Sequence, residues 1–249
     1  PTTSGVVLAG VAPGGSWGGM LYRSGDAGAH WEIVDDLSSR SVHRVAFASD
    51  GTAYAATQNR VWKSSDDGQH WTQLAFGFSN PNDETFAVTV DPNDDAVLWA
   101  GLTDALGSQP INLMRSPDGG TTWEDRTPPH AAAMTCVGVA VDPADSGHVA
   151  AVFRGSFGGG EIWVSTDGGT TWDNRSAGLP NNPLNAVAFA GDRLLVGGGQ
   201  NFGSQYVGLY ASDDLGATWT PLHTSNWPLR VVTDIAIDPA DVDTILVAT

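Results

Sequence analysis

The chain has 249 residues, of which 41% are hydrophobic, and it contains 31 glycines and 14 prolines. This composition is typical of a folded, turn-rich protein and argues against intrinsic disorder. A net charge of −17 disfavours nucleic acid and anionic lipid as partners. No stretch approaches the roughly 18 consecutive apolar residues that a membrane-spanning helix needs, so membrane insertion is not expected.

Alternating apolar residues recur along the chain and predict half-buried strands. Each run ends in an aspartate, and three of them end in Asp-Pro, which suits a tight turn. Shorter apolar runs such as Ala53–Ala56 and Val149–Val152 follow and predict a second strand. The alternating runs are Val42–Phe47, Phe86–Val90, Val137–Val141, Ala186–Phe189 and Val232–Ile237.

The pattern Ser-x-Asp-x-Gly-x-x-Trp, called a box below, occurs five times with its serines 40, 52, 49 and 47 residues apart. Four fixed positions matched five times indicate a structural repeat. The boxes are formed by Ser24, Asp26, Gly28 and Trp31; Ser64, Asp66, Gly68 and Trp71; Ser116, Asp118, Gly120 and Trp123; Ser165, Asp167, Gly169 and Trp172; and Ser212, Asp214, Gly216 and Trp219.

Each repeat is predicted to hold four antiparallel strands, with the box between the third and the fourth. A four-stranded unit of forty to fifty residues has the size of one β-propeller blade. The fold class predicted is therefore all-β, a β-propeller of five boxed blades and an incomplete sixth, across a single domain of residues 1–249.

Both ends of the chain resemble the second strand of a blade. Val6–Val11 precedes a third strand and a box, whereas Thr244–Thr249 follows an inner strand and an Asp-Pro turn. A ring closed by these two ends would need one end to supply what the other lacks, and an uncovered apolar edge is avoided in stable proteins. We therefore expect further blades, or a partner subunit, to complete the ring.

The boxes, the strands before them and the Asp-Pro turns resemble the Asp-box (bacterial neuraminidase repeat) propellers. The segments Ala140–Asp145 and Ile162–Trp172 are similar to blades of the xyloglucanase and sortilin branches. The resemblance covers the chain and implies a sialidase-like propeller. It also implies that the boxes are structural and lie away from the ligand-binding face.

The box residues themselves favour a hairpin turn over a metal site. A calcium loop needs five or more converging oxygens, whereas a box supplies one carboxylate and one hydroxyl. We expect the serine and aspartate to accept backbone N–H bonds, the glycine to adopt a positive φ, and the tryptophan to pack under the turn. Trp123 and Trp172 should then be largely buried, and Trp172→Ala should cost roughly 3–5 kcal/mol. No metal or cofactor is predicted.

The only cysteine, Cys136, lies within an apolar run. One cysteine excludes an internal disulfide and a multi-cysteine zinc site. No histidine close in the sequence would activate it, so a buried structural thiol is favoured over a nucleophile.

Ligands of propellers usually bind at the loops between blades, where most arginines of this chain fall. Arginines gathered on one face would suit a carboxylate or an acidic partner; the alternative is that they pair with acids such as Glu84. Exposed aromatics there would stack on sugars or anchor a protein. The candidate ligand-binding residues are Arg40, Arg126, Arg154, Arg230, Tyr206 and Trp227.

A catalytic set is not evident. The arginine triad, Tyr–Glu nucleophile pair and Arg-Ile-Pro signature of the sialidases are not matched, and the xyloglucanase branch requires two carboxylates across a cleft. Asp83, Asp104 and Asp234 are the candidates for such a pair.

Two functional hypotheses of different class therefore remain. The first is a non-catalytic, extracytoplasmic binding or scaffold propeller whose loop face contacts a protein or a glycan. The alternative is a glycoside hydrolase, sialidase-like or xyloglucanase-like, or a fragment of one.

Overall fold

The computed structural model of the protein describes residues 5–11, 19–38, 40–58, 60–75, 84–103, 113–129, 134–155, 158–200, 205–222 and 231–249, without the side chains of 205 and 206. The chain forms two compact units, Pro1–Asp125 and Arg126–Thr249. Within the described residues, no helix is long and apolar enough to cross a membrane.

Among its described residues, the first unit contains three antiparallel sheets and one short 3-10 helix, Asp35–Leu37. In every sheet, strands that follow one another in the chain are neighbours in the sheet. The second and third sheets have four strands, and the first has three described strands. The sheets are β1 Val7–Val11, β2 Met20–Ser24 and β3 Glu32–Ile33; β4 Val42–Phe47, β5 Ala53–Thr57, β6 Arg60–Ser64 and β7 Thr72–Gln73; and β8 Glu84–Asp91, β9 Asp94–Thr103, β10 Leu113–Ser116 and β11 Glu124–Asp125.

The second unit repeats this arrangement with two four-stranded sheets and a two-stranded one. They are β12 Met134–Asp142, β13 Asp145–Gly155, β14 Gly160–Ser165 and β15 Asp173–Asn174; β16 Leu184–Ala190, β17 Arg193–Gln200, β18 Gln205–Ser212 and β19 Thr220–Pro221; and β20 Asp234–Asp238 and β21 Asp241–Ala248. These four-stranded antiparallel sheets are the blades of a β-propeller, and the predicted fold class is confirmed. The number of blades and the closure of the ring stay predictions.

The apolar cores lie between successive sheets within each unit. In the first unit Leu21 and Leu37 pack with Trp71, and Tyr54 packs with Leu98. The second unit has two similar clusters, one between β12–β15 and β16–β19 and one between β16–β19 and β20–β21. Because a single blade leaves apolar side chains on both faces, stacking of sheets is what buries them.

The alternating runs match the inner strands with one difference. The run beginning at Val232 was expected to be strand throughout, but β20 begins at Asp234. The N–H of Val232 donates instead to the carbonyl oxygen of Gly198, on the preceding sheet, at 3.0 Å. Tertiary contact with the neighbouring blade therefore delays the start of β20. Cys136 is fully buried, as predicted, and burial raises the pKa of its thiol.

Every box is a hydrogen-bonded turn with one repeated geometry. The serine Oγ accepts the N–H of the box glycine at 2.7–3.0 Å and donates to the aspartate Oδ1 at 2.7–2.9 Å. The same Oδ1 accepts the N–H of the residue just before the tryptophan at 2.7–2.9 Å. The glycines have φ between +80° and +91°, which L side chains rarely adopt.

Trp123 and Trp172, expected to be largely buried, are both partly buried, and Trp123 packs against the core cluster that contains Tyr54 and Leu98. The indole lies across the turn, and in box 1, for instance, Trp31 donates its Nε1–H to the carbonyl oxygen of Gly28 at 3.0 Å. The burial of the rest of the indole depends on which neighbouring segment packs against it. Trp71 is 5% exposed because the 3-10 helix covers it, whereas Trp31 is 45% exposed.

The box carboxylates are strongly stabilised as anions. The pKa of Asp26, Asp66 and Asp167 is lowered to about 2. The largest cause is the hydrogen bond from the backbone N–H of the residue four positions later, and side-chain hydrogen bonds add to it. For Asp214 the largest cause is the hydroxyl of Thr218, and the pKa is again about 2. A hydrogen-bonded anion is favoured over the neutral acid, so the turns are held best while these groups stay ionised.

We predict that the two tryptophans of the first two boxes differ sharply in their effect on stability. Trp71→Ala removes a buried indole and should lower the free energy of unfolding by roughly 3–5 kcal/mol. Trp31→Ala should cost about 1 kcal/mol or less, since nearly half of the side chain is already exposed. Urea unfolding followed by circular dichroism measures both. Equal losses would contradict the role of the covering segment.

We predict that Asp167→Asn flattens the acid dependence of stability. Because the folded pKa lies below the unfolded one, the stabilisation from Asp167 is present above about pH 4 and is lost as the pH falls towards 2. The variant should therefore be less stable than wild type at pH 5 and differ less from it at pH 2.5. Asp192→Asn, in an exposed turn, controls for the loss of one charge.

Candidate functional site

Each four-stranded sheet has two distinct ends. At one end lie the box and the turn between the inner and second strands, as shown by Phe47 pairing with Ala53 and Ala53 with Ser64. The opposite end, called the box-remote end below, holds the start of the inner strand and the turn between the second and third strands. There Val42 pairs with Thr57.

A β-bulge lies near the start of the inner strands β4, β8, β12 and β16, at the box-remote end. In the first unit the bulged residues are His43 and Phe86; in the second they are Val137 and Asn185. A bulge re-aims a side chain and is common beside binding sites. Alternation in the sequence does not reveal these bulges, because they lie at the start of each run, where too few residues precede them for a shift in the alternation to be seen.

The two bulges of the first unit bring a histidine, a phenylalanine and a carboxylate together. The His43 ring stacks on Phe86 with 4.6 Å between centroids, and His43 Nε2 lies 3.9 Å from Glu84 Oε2. That distance is too long for a hydrogen bond. Among the described residues, the buried His43 Nε2 has no hydrogen-bond partner.

Burial lowers the pKa of His43, and the nearby Glu84 opposes this only in part. The imidazole is therefore neutral at pH 7, with one ring nitrogen protonated and the other bare. An unsatisfied buried polar atom costs about 1–3 kcal/mol, so His43 Nε2 is set to gain from a polar atom placed beside it.

Arg40 lies in the segment that leads into the same end of β4. Its guanidinium carbon is 4.9 Å from the centroid of the Trp62 ring, a cation–π geometry. Trp62 is fixed by its Nε1–H, which donates to Thr57 Oγ1 at 3.1 Å. The expected alternative was pairing of an arginine with an acid such as Glu84; among the described residues, the titratable side chain near Glu84 is instead His43, which is neutral at pH 7.

The remaining described candidates belong to the second unit. Arg154 is exposed and pairs across β13 and β14 with Gly160, at the box-remote end. Arg126 follows β11 directly and is half-buried. Asp234 begins β20, and its Oδ1 accepts the N–H of Ile235 at 3.0 Å.

Several sequence candidates fall outside the described residues. They are Asp83, Asp104, Arg230 and Trp227; Tyr206 lies on β18 opposite Gly199, but its side chain is not described. The part of the chain that is described holds no group of three or more His, Cys, Asp or Glu suited to a metal ion.

The bulge of β16 shows a structural use of the same position. Asn185 Nδ2 donates to the carbonyl oxygens of Gly199 and Val232, at 2.8 and 3.0 Å, and so links two successive blades. His43 makes no such link through Nε2 within the described residues. Asn185 therefore stabilises the stacking of two blades, whereas His43 Nε2 makes no such contact within the described residues.

Residues 41–227 match the BNR repeat-like domain family, over more than half of the chain. The chain belongs to this family. It is 29% identical over 117 residues to a xyloglucanase from Paenibacillus sp, a match covering 41% of this chain and 11% of that protein. The chain thus matches only about a tenth of the length of this xyloglucanase.

Solved structures support the same fold. The GH74 xyloglucanase from Xanthomonas campestris superposes with a TM-score of 0.70 and 18% identity, over 97% of this chain and 41% of that one. A YCF48 structure bound to D1 peptide gives 0.58 and 17%, over 95% and 73%. At this identity the likeness shows the propeller fold, which enzymes and peptide-binding proteins share.

We predict that His43 makes the first unit sensitive to mild acid. Because its folded pKa is lowered, the associated stability is present above about pH 6.5 and is lost as the pH falls below that value. His43→Phe and His43→Gln cannot be protonated and should lose less stability than wild type between pH 7.5 and pH 5. Thermal unfolding at both values measures this; identical pH dependence in all three proteins would contradict it.

Proposed function

We propose that this chain is a non-catalytic, extracytoplasmic binding domain whose box-remote end contacts a glycan. The observation that carries the proposal is the buried His43 Nε2, lacking a partner among the described residues and lying 3.9 Å from Glu84 Oε2. With the ring proton on Nε2, a group that satisfies both atoms accepts from the imidazole N–H and donates to the carboxylate.

A sugar hydroxyl meets this requirement. One hydroxyl oxygen at about 2.8 Å from each atom would accept from the imidazole N–H and donate to the carboxylate; because Nε2 is buried in the free protein, binding requires a side-chain movement that opens it. The aromatic ring of Phe86 beside His43 adds apolar surface of the kind on which sugar rings pack. The site suits a neutral glycan better than an anionic one, because Glu84 would repel a second carboxylate.

The pairing at this site favours binding over hydrolysis. Glycoside hydrolysis uses two carboxyl groups, roughly 5–9.5 Å apart, flanking the bond to be cleaved. Within the described residues, the titratable neighbour of Glu84 is a histidine, which is neutral at pH 7. A neutral imidazole beside one carboxylate can orient a hydroxyl without supplying that acid and nucleophile.

A glycoside hydrolase is the second candidate, because the chain is similar to a named xyloglucanase over 117 residues. It would draw its carboxylates from Asp83, Asp104 and Asp234. A protein ligand is the third outcome that the test below separates.

We predict binding of neutral oligosaccharides without turnover. Isothermal titration with xyloglucan and cello-oligosaccharides should show binding whose affinity falls at least fivefold in His43→Gln and in Glu84→Gln, since each removes one of two hydrogen bonds of about 1 kcal/mol or more. Arg193→Gln, on an exposed ion pair in the second unit, is the matched control.

Reducing-end release from the same substrates tests the enzyme candidate. Turnover that disappears in Asp83→Asn, Asp104→Asn or Asp234→Asn would favour the hydrolase and overturn the proposal. The absence of both binding and turnover, together with capture of a single protein that His43→Gln no longer retains, would favour a protein ligand.

A further inference from the structure

The arginines of the chain differ in their partners according to where they lie on a blade. Four of the described arginines lie beside a box, and each pairs with a carboxylate. Arg40 and Arg154 belong to the box-remote end, and within the described residues no acid pairs with either guanidinium. The pairs beside the boxes are Arg23–Glu32, Arg115–Glu124, Arg175–Asp173 and Arg193–Asp213.

Arg40 is held in position by packing rather than by an opposite charge. Its guanidinium carbon lies 4.9 Å from the centroid of the Trp62 ring, and Thr57 fixes that ring through a 3.1 Å hydrogen bond. The backbone of Arg40 packs directly on the first sheet, since a Cβ added to Gly19 would overlap its carbonyl oxygen. Because the side chain is oriented before a ligand arrives, little conformational freedom is lost when it binds one.

The N–H edges of the Arg40 guanidinium are what it offers to a ligand. Stacking on Trp62 uses one face of the planar group. Among the described residues, no acceptor takes a hydrogen bond from its five N–H donors, and Arg40 is only half-buried. A carboxylate can accept two parallel hydrogen bonds from such an edge, which is the geometry that arginine recognises best.

Arg40 lies within reach of the glycan site proposed at His43 and Glu84. Three positions separate Arg40 from His43, so their Cα atoms are at most about 11 Å apart. Trp62 belongs to the apolar cluster shared with the preceding sheet, whereas His43 stacks on Phe86 of the following sheet. The start of β4 therefore has a cation on one side and a histidine with a carboxylate on the other.

We propose that the box-remote end of the first unit binds an acidic oligosaccharide, with a uronic acid at Arg40 and a neutral sugar at His43. The proposal rests on the proposed function and names the class of glycan. Glu84 repels a carboxylate placed at the His43 side, and Arg40 attracts one placed at its own side. The order of the two sugars across β4 follows from these two opposite charges.

The net charge of −17 opposes an anionic ligand, but distance decides which effect is larger. At physiological ionic strength the Debye length is about 8 Å, so exposed charges farther away are largely screened. A carboxylate in direct contact with the half-buried guanidinium is screened much less. The contact with Arg40 therefore outweighs the repulsion from distant acids.

The test compares cellotetraose with counterparts in which one glucose residue is oxidised at C6 to glucuronic acid. In isothermal titration of the full chain at about 150 mM NaCl, at least one counterpart should bind about fivefold more tightly than cellotetraose. Arg40→Gln should bring this ratio close to one, and Arg40→Lys should keep only part of it, since an ammonium lacks the planar fork. Arg193→Gln, which removes a paired arginine beside box 5, should leave the ratio unchanged.

The outcomes separate this proposal from the proposed function. Equal affinity for cellotetraose and all acidic counterparts would overturn the uronic acid at Arg40 and leave the binding of neutral glycans intact. A preference for acidic counterparts that survives in Arg40→Gln would also overturn it, because another group then attracts the carboxylate. No binding of any of these oligosaccharides would overturn both proposals. If thermal unfolding shows that Arg40→Gln is not folded, the loss of preference in Arg40→Lys decides.

Discussion

The hydrogen bond from the box glycine N–H to the box serine Oγ is the interaction on which the rest of this structure depends. It forms at 2.7–3.0 Å in all five boxes, where the glycine has a positive φ. The bond fixes the reversal between the third and fourth strands and orients the aspartate onto the next backbone N–H. Each blade thereby gains a rigid end, and the opposite end is left for loops that vary.

The five boxes share one geometry but not one chemistry. In boxes 3 to 5 a threonine hydroxyl donates to the aspartate Oδ2 at 2.7 Å, and in boxes 1 and 2 a histidine Nδ1 takes this position at 2.6 and 2.7 Å. The hydrogen bond is conserved within the molecule while a titratable ring replaces a hydroxyl. The repeat that builds the fold thus also places a titratable group at one of its hydrogen-bonding positions.

At the box-remote end, the same bulge position holds a different polar side chain in different blades. The same bulge position holds Asn185, whose amide links two blades, and His43, whose Nε2 faces Glu84. Similarity to a xyloglucanase and to a peptide-bound protein on one fold means that the scaffold does not choose between these uses. What distinguishes them is which polar side chain each bulge presents and whether the neighbouring blade satisfies it.

The sequence by itself determined the boxes, because their bonds join residues two to four apart, as from Ser64 to Asp66 and Gly68. It also determined the strand order within a blade and the fold class, because short turns join successive strands, as between Phe47 and Ala53. The tertiary structure decided what depends on distant segments. Trp71 is buried by a helix from the preceding blade, Asn185 contacts a residue 47 positions away, and His43 meets Glu84 because two bulges coincide. Alternation along one strand carries no information about which neighbour covers it, so these contacts follow only from the stacking of blades.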